Sequence, residues 1–203
     1  SRFGNVGTGS MRVAGPEDVR GTETYSLHFD FTTRIMLFTV EDRTRSWIDP
    51  STMASLRYHK YEKNPLSSAT EEVEIHPAEQ RWLNADGTEG RSPTTEPLDE
   101  LSFLYFLRTL PLVDGEVREV ERHFDPARNP VVVRVVGRET LEAPIGDFAT
   151  VIVEMQVNDA GRFGGRGTLR LHLTDDERRL PVRIETSVPI AGSLVLDLVQ
   201  ATF

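Results

Sequence analysis

From Pro130 to Phe203 the chain alternates apolar and polar residues with few interruptions, and no other feature of the sequence restricts its fold as much. Val131, Val133 and Val135 are followed by Val151, Val153, Met155 and Val157, then by Leu169, Leu171 and Leu173. Val182, Ile184, Thr186 and Val188 come next, then Leu194, Leu196 and Leu198. Between them stand Arg134, Glu154, Gln156, Arg170, His172, Arg183, Glu185 and Asp197. Side chains two apart in a strand share a face, so each set makes one apolar face and one polar face. Such a pattern predicts antiparallel strands with one side on a core and the other in water. A curved sheet of this kind must cover its apolar face with a second sheet, a helix or a ligand.

The first half carries shorter versions of the same pattern. Residues 1–19 read as an irregular lead-in, with Gly4, Gly7, Gly9, Gly15 and Pro16 around one short strand near Met11 and Val13. Tyr25, Leu27, Phe29 and Phe31 share one face of a strand over 22–32. A second strand spans about 35–47, with Met36, Phe38 and Val40 together, and a third spans 53–63 with Leu56 and Tyr58 together. Segments 69–76 and 78–84 form a polar hairpin closed by Asn84-Ala85-Asp86-Gly87. The period then changes. Thr94 to Leu110 is the one convincing helix, its body about 97–110, with Pro97 in its first turn, Asp99 and Glu100 at its positive end and Pro111 stopping it. Leu98, Leu101, Leu104 and Tyr105 form one stripe, and Phe103, Phe106, Leu107 and Leu110 form another. A helix so apolar should be buried on most sides and plug the concave side of the sheet.

The expected fold is therefore mostly β: one domain over 1–203, built as a strongly curved antiparallel sheet or half-open barrel around one central buried helix. The 203 residues suit one domain of this type. A formal net charge of −9 argues against a nucleic-acid surface. The chain has no cysteine, which excludes disulfides, thiol nucleophiles and thiolate metal sites. It begins at Ser1 rather than methionine, from which an upstream segment is expected.

The order of elements in the second half is also specific. Val133-Arg134-Val135-Val136-Gly137-Arg138-Glu139 is followed by Ala143-Pro144-Ile145-Gly146-Asp147-Phe148. Then come Gly167-Thr168-Leu169-Arg170-Leu171-His172-Leu173, Thr174-Asp175-Asp176, Arg179-Leu180-Pro181-Val182-Arg183-Ile184 and Gly192-Ser193-Leu194. This region resembles the bacterial exported family catalogued as domain of unknown function 3108, and Leu98 to Leu110 is similar to its central helix. The resemblance implies a strongly curved antiparallel sheet, similar in outline to the half-open barrels of the lipoprotein carriers LolA and LolB. It also implies export to the periplasm or outer cell envelope. It supplies no catalytic residues.

The residues themselves offer no catalytic constellation. Pro144-Ile145-Gly146 suits a tight turn, and Asp175-Asp176 caps its own hairpin better than it would hold calcium. His28, His59, His76, His123 and His172 match no zinc spacing, although His28 and His172 would become neighbours if their strands paired. Gly161 to Gly167 precedes a strand rather than a helix, which weakens a phosphate-cradle reading. No cofactor, metal site or nucleic-acid partner is expected. The aromatic set is the candidate ligand lining: Trp47, Tyr58 and Trp82 from the early strands, with Leu101, Tyr105 and Phe106 from the helix. The leading expectation is an exported, non-enzymatic domain that binds a hydrophobic molecule or lipid on the concave face, with peripheral association with the envelope. The alternative is a closed-core scaffold or interaction module that binds a protein or polysaccharide.

Overall fold

The structure, a computed structural model, describes residues 7–35, 38–65, 67–159, 165–188 and 192–203. The described residues are mostly strand, arranged as two antiparallel meanders separated along the chain by one helix. The first sheet comprises β1 (Gly7–Val19), β2 (Thr22–Ile35), β3 (Phe38–Ile48), β4 (Ser55–Lys63), β5 (Ser68–His76), β6 (Arg81–Asn84) and β7 (Glu89–Arg91), hydrogen-bonded in that order. After α1 (Glu100–Leu107) the second sheet comprises β8 (Val117–Val120), β9 (Val131–Ala143), β10 (Gly146–Asp159), β11 (Gly165–Thr174), β12 (Pro181–Val188) and β13 (Gly192–Asp197). Its strands are also ordered as neighbours, and neither sheet closes into a barrel. The chain divides into two compact units, residues 1–106 with 122–125, and 107–121 with 126–203, so neither is one continuous stretch. No described helix is long and apolar enough to cross a membrane.

The second unit follows the alternation closely. Val131, Val133 and Val135, Val151 and Val153, Met155, Leu171, Leu173 and Val182 are all buried, while Arg134 and Gln156 are exposed. The β9–β10 connection is the tight turn expected of Pro144-Ile145, with Ala143 opposite Gly146 and Gly146 at φ +133. Asp176 caps the β11–β12 connection: its Oδ1 accepts the Thr174 hydroxyl at 2.6 Å and the Arg178 and Arg179 amides at 3.1 and 3.0 Å. Of the expected Gly161 to Gly167 connection, residues 160–164 lie outside the described residues, and Gly165 already opens β11. Met36 also lies outside them.

Three expectations change. From Gly7 on the lead-in is not irregular, because β1 pairs with β2 from Gly7↔Thr33 to Val19↔Thr22, while residues 1–6 lie outside the described residues. Gly7 and Pro16 misled because their roles here are tertiary. A side chain on Gly7 would meet the Thr32 carbonyl at 2.7 Å, and Pro16 falls at the register break between Ala14 and Glu17, on an edge strand that tolerates a missing donor. The helix is shorter than 97–110. Pro97 and Leu98 are extended: the Pro97 carbonyl accepts from the Ser55 amide at 2.7 Å, and Leu98 pairs with residues 122 and 124 through bonds of 2.6 and 2.9 Å. At the far end the Arg179 guanidinium donates to the carbonyls of Arg108 and Leu110, which occupies them beyond the last helical turn. Finally, His28 and His172 belong to different sheets, so their strands do not pair.

Candidate functional site

Each face of the first sheet has its own chemistry, fixed by register. Directly opposed residues of an antiparallel pair share a face. One inner row is Val13, Leu27, Ser46, Tyr58 and Val73, and the next is Met11, Phe29, Thr44 and Lys60. The opposite face carries Ser10, Asp30, Arg43, Tyr61 and Thr70 on one rung. Arg12, His28, Arg45, His59 and Glu72 form the next rung, and Ala14, Ser26, Trp47, Arg57 and Glu74 the third.

The start of α1 is fastened to the inner face by two polar clusters. Asp99 is the N-cap: its Oδ1 accepts the amides of Leu101 and Ser102, each at 2.9 Å, and its Oδ2 accepts the Ser46 hydroxyl. The Asp99 amide donates back to Ser102 Oγ at 2.8 Å, which in turn accepts the Ser55 hydroxyl at 2.8 Å. Full burial pushes the Asp99 carboxyl up to about 6, against the pull of these donors. In the second cluster, Lys60 is 8% exposed, and its Nζ lies 2.6 Å from Glu100 Oε2 and 3.0 Å from Glu62 Oε1. Asp42 stands 3.9 Å away, and the Tyr58 hydroxyl donates to Glu100 at 3.1 Å. Burial works against the ammonium, yet the carboxylates of Glu100, Asp42 and Glu62 outweigh it and hold the Lys60 pKa above the ordinary lysine value. Burial raises the pKa of Asp42 in turn.

Beyond these clusters the helix lies on apolar ground. Leu101 is buried with Leu27 and Ile48, while Met11, Tyr25, Phe29, Met53, Leu104 and Tyr105 pack around them only partly buried. Among the six residues expected to line a ligand, Leu101 and Tyr105 belong to this cluster. Tyr58 is fully buried in a second cluster with Val73, Ile75 and Phe124, where Trp82 packs edge-on to Phe124 at 5.7 Å between ring centroids. Phe106 meets Phe103 edge-on at 5.8 Å and lies under the Arg122 guanidinium, 4.7 Å from its ring centre. Trp47 is on the other face of the sheet, 5.6 Å from Arg57 and donating through Nε1 to Glu17 at 2.9 Å. The six therefore do not share one lining. Met11, Tyr25, Phe29, Met53 and Leu104 complete the seam beside Tyr105. The alternation of β2 signalled Tyr25 and Phe29, and Met11 stood on the short strand expected beside Val13, but nothing local marked Met53.

The outer face brings Ser26, His28 and Glu17 together without making a nucleophile. Arg12 lies 3.0 Å from His28 Nδ1 and can only donate, so His28 donates through Nε2 to Ser26 Oγ at 3.0 Å. Ser26 then gives its own proton to Glu17 at 2.6 Å. Burial, then Arg45 and Arg12, keep the His28 pKa low. The hydroxyl thus points away from the base it would need. On the His28 rung and the one beside it, Arg43, Arg45, His59, Tyr61 and Thr70 line an open groove of about 320 Å³.

No curated protein and no solved structure matches this chain. Residues 1–199 match the family described as protein of unknown function DUF3108, and the chain belongs to that family.

Proposed function

We propose that this protein is a non-enzymatic binding domain that holds a hydrophobic molecule, such as a lipid acyl chain, along the seam between α1 and the inner face of β1 and β2. The observation that carries this reading is the partial exposure of six large apolar side chains around a buried centre: Met11, Tyr25, Phe29, Met53, Leu104 and Tyr105 around Leu27, Ile48 and Leu101. Apolar surface left accessible costs about 25 cal/mol per Å², and a ligand that covers it recovers that free energy. The two methionines suit a variable acyl partner, because an unbranched thioether repacks at low cost. The Asp99 cap and the Lys60 ion-pair cluster fasten the start of the helix beside the seam, which Leu104 and Tyr105 border. Export to the periplasm or outer envelope, peripheral association there and a likeness in outline to the lipoprotein carriers are parts of the same proposal.

Native mass spectrometry of protein purified without detergent tests it. Lipid-mass adducts are expected, and Leu104→Lys should reduce them several-fold while circular dichroism stays unchanged. Bare protein in every preparation, together with no uptake of added dodecanoate, counts against the reading.

A further inference from the structure

The outer face of the first sheet holds a second site that the apolar seam does not explain. The chain carries a formal net charge of −9, yet three successive rungs of β1 to β5 hold Arg12, Arg43, Arg45 and Arg57. These rungs also carry Asp30, Glu72 and Glu74, so the four arginines outnumber the carboxylates by one, a small local excess of positive charge against the overall field. The carboxylates on these rungs are already engaged. Asp30 holds Arg45 at 2.7 Å, Glu74 holds Arg57 at 2.5 Å, and Glu72 lies 3.4 Å from His59.

Within the cluster, the groove of about 320 Å³ is lined by Arg43, Arg45, His59, Tyr61 and Thr70, with no carboxylate among them. That volume is near the lower end of the ~300–1,000 Å³ usual for small-ligand sites. Arg45 is fixed: it donates to the carbonyls of Phe29 and Thr44 at 3.1 and 2.9 Å as well as to Asp30. Arg43 is the open partner, with 58% of its side chain accessible and one nitrogen 3.1 Å from Glu41. A guanidinium carries five donors, so this contact leaves most of them directed elsewhere. Arg43 and Arg45 are two residues apart on one face of β3, which sets their Cα atoms about 7 Å apart, a span that receives two oxyanions or both ends of one ligand. Tyr61 and Thr70 add hydroxyls, and the Tyr61 ring with the arginine stems supplies flat apolar surface. Paired guanidinium groups, hydroxyls and one aromatic wall are complementary to a ligand that is both acidic and rich in hydroxyls. Among the described residues that line the groove there is no protruding apolar side chain, as insertion into a bilayer would require.

From this geometry we infer that the groove formed by Arg43, Arg45, His59, Tyr61 and Thr70 binds an acidic saccharide through its carboxylate or other oxyanion groups. The site lies on the sheet face opposite the apolar seam and stands without it.

Isothermal titration with tetragalacturonate, maltotetraose and phosphatidylglycerol vesicles tests the assignment on the full chain. Tetragalacturonate should bind, weaken as salt rises, and outcompete the neutral maltotetraose. Arg43→Gln should weaken it about tenfold, and Tyr61→Ala should also weaken it. Arg134→Gln, which removes the same charge from the second sheet, should leave it unchanged. Circular dichroism confirms that each variant is folded. Binding to the vesicles but not to the oligosaccharide overturns the inference. So does equal binding of maltotetraose, an undiminished Arg43→Gln variant, or no binding at all.

Discussion

Lys60 Nζ lies 2.6 Å from Glu100 Oε2, and this half-buried ion pair ties the middle of β4 to the first turn of α1. Glu62 and Asp42 share the same ammonium at 3.0 and 3.9 Å. Lys60→Met should therefore leave three carboxylates, each a quarter to a third accessible, without their cation. The expected loss is about 1–3 kcal/mol, below the range for a fully buried pair because the carboxylates keep some contact with water. Urea unfolding measures it. A loss under about 1 kcal/mol would mean that the carboxylates find water or protons instead.

Asp99 makes stability depend on pH in an unusual direction for a carboxylate. Its folded pKa, about 6, is above its ordinary value of 3.8 because the group is fully buried. The folded chain thus binds the proton more tightly, and the resulting stability is complete below about pH 4 and lost as pH rises through 6. The full effect is on the order of 3 kcal/mol. Asp99→Asn keeps an N-cap acceptor without a titrating group. Its unfolding free energy should lack the decline that the native protein shows between pH 4 and 7. Parallel pH profiles for the two would show that Asp99 titrates normally.

Trp82 lies flat over Gly90, its partner across β6 and β7, so that an added Cβ would meet the indole at 2.5 Å. Gly90→Val should lift the ring from Phe124 and cost about 1–3 kcal/mol. In a Trp47→Phe background Trp82 is the sole tryptophan, so its emission should shift to the red. An unchanged spectrum would place the indole elsewhere.

Much of this architecture was legible in the chain, because an alternation of period two survives any tertiary context that keeps one face buried. Val131, Val133 and Val135, then Val151, Val153 and Met155, then Leu171, Leu173 and Val182 are buried where that pattern puts them. The candidate lining was harder to read, since it depends on which face each strand presents to the others. Trp47 has the parity of Arg43 and Arg45, whereas buried Thr44, Ser46 and Ile48 have the other, so β3 alone already placed Trp47 outside. Lys60 gave no such signal. A lysine inside a sheet is explained by the carboxylates that folding brings to it, above all Glu100, which lies forty residues along. The helix was found but overextended, because the extended pairing of Leu98 with residues 122–124 is a long-range contact that no local propensity reports.

The most direct test of ligand binding at the seam uses the methionine methyl groups. Met11 and Met53 border the apolar seam, whereas Met155 is buried in the second sheet and serves as an internal reference. In methyl NMR spectra, added dodecanoate should shift the Met11 and Met53 signals in a saturable way and leave Met155 in place. Spectra in which Met11 and Met53 stay fixed while dodecanoate is present in excess would contradict the account.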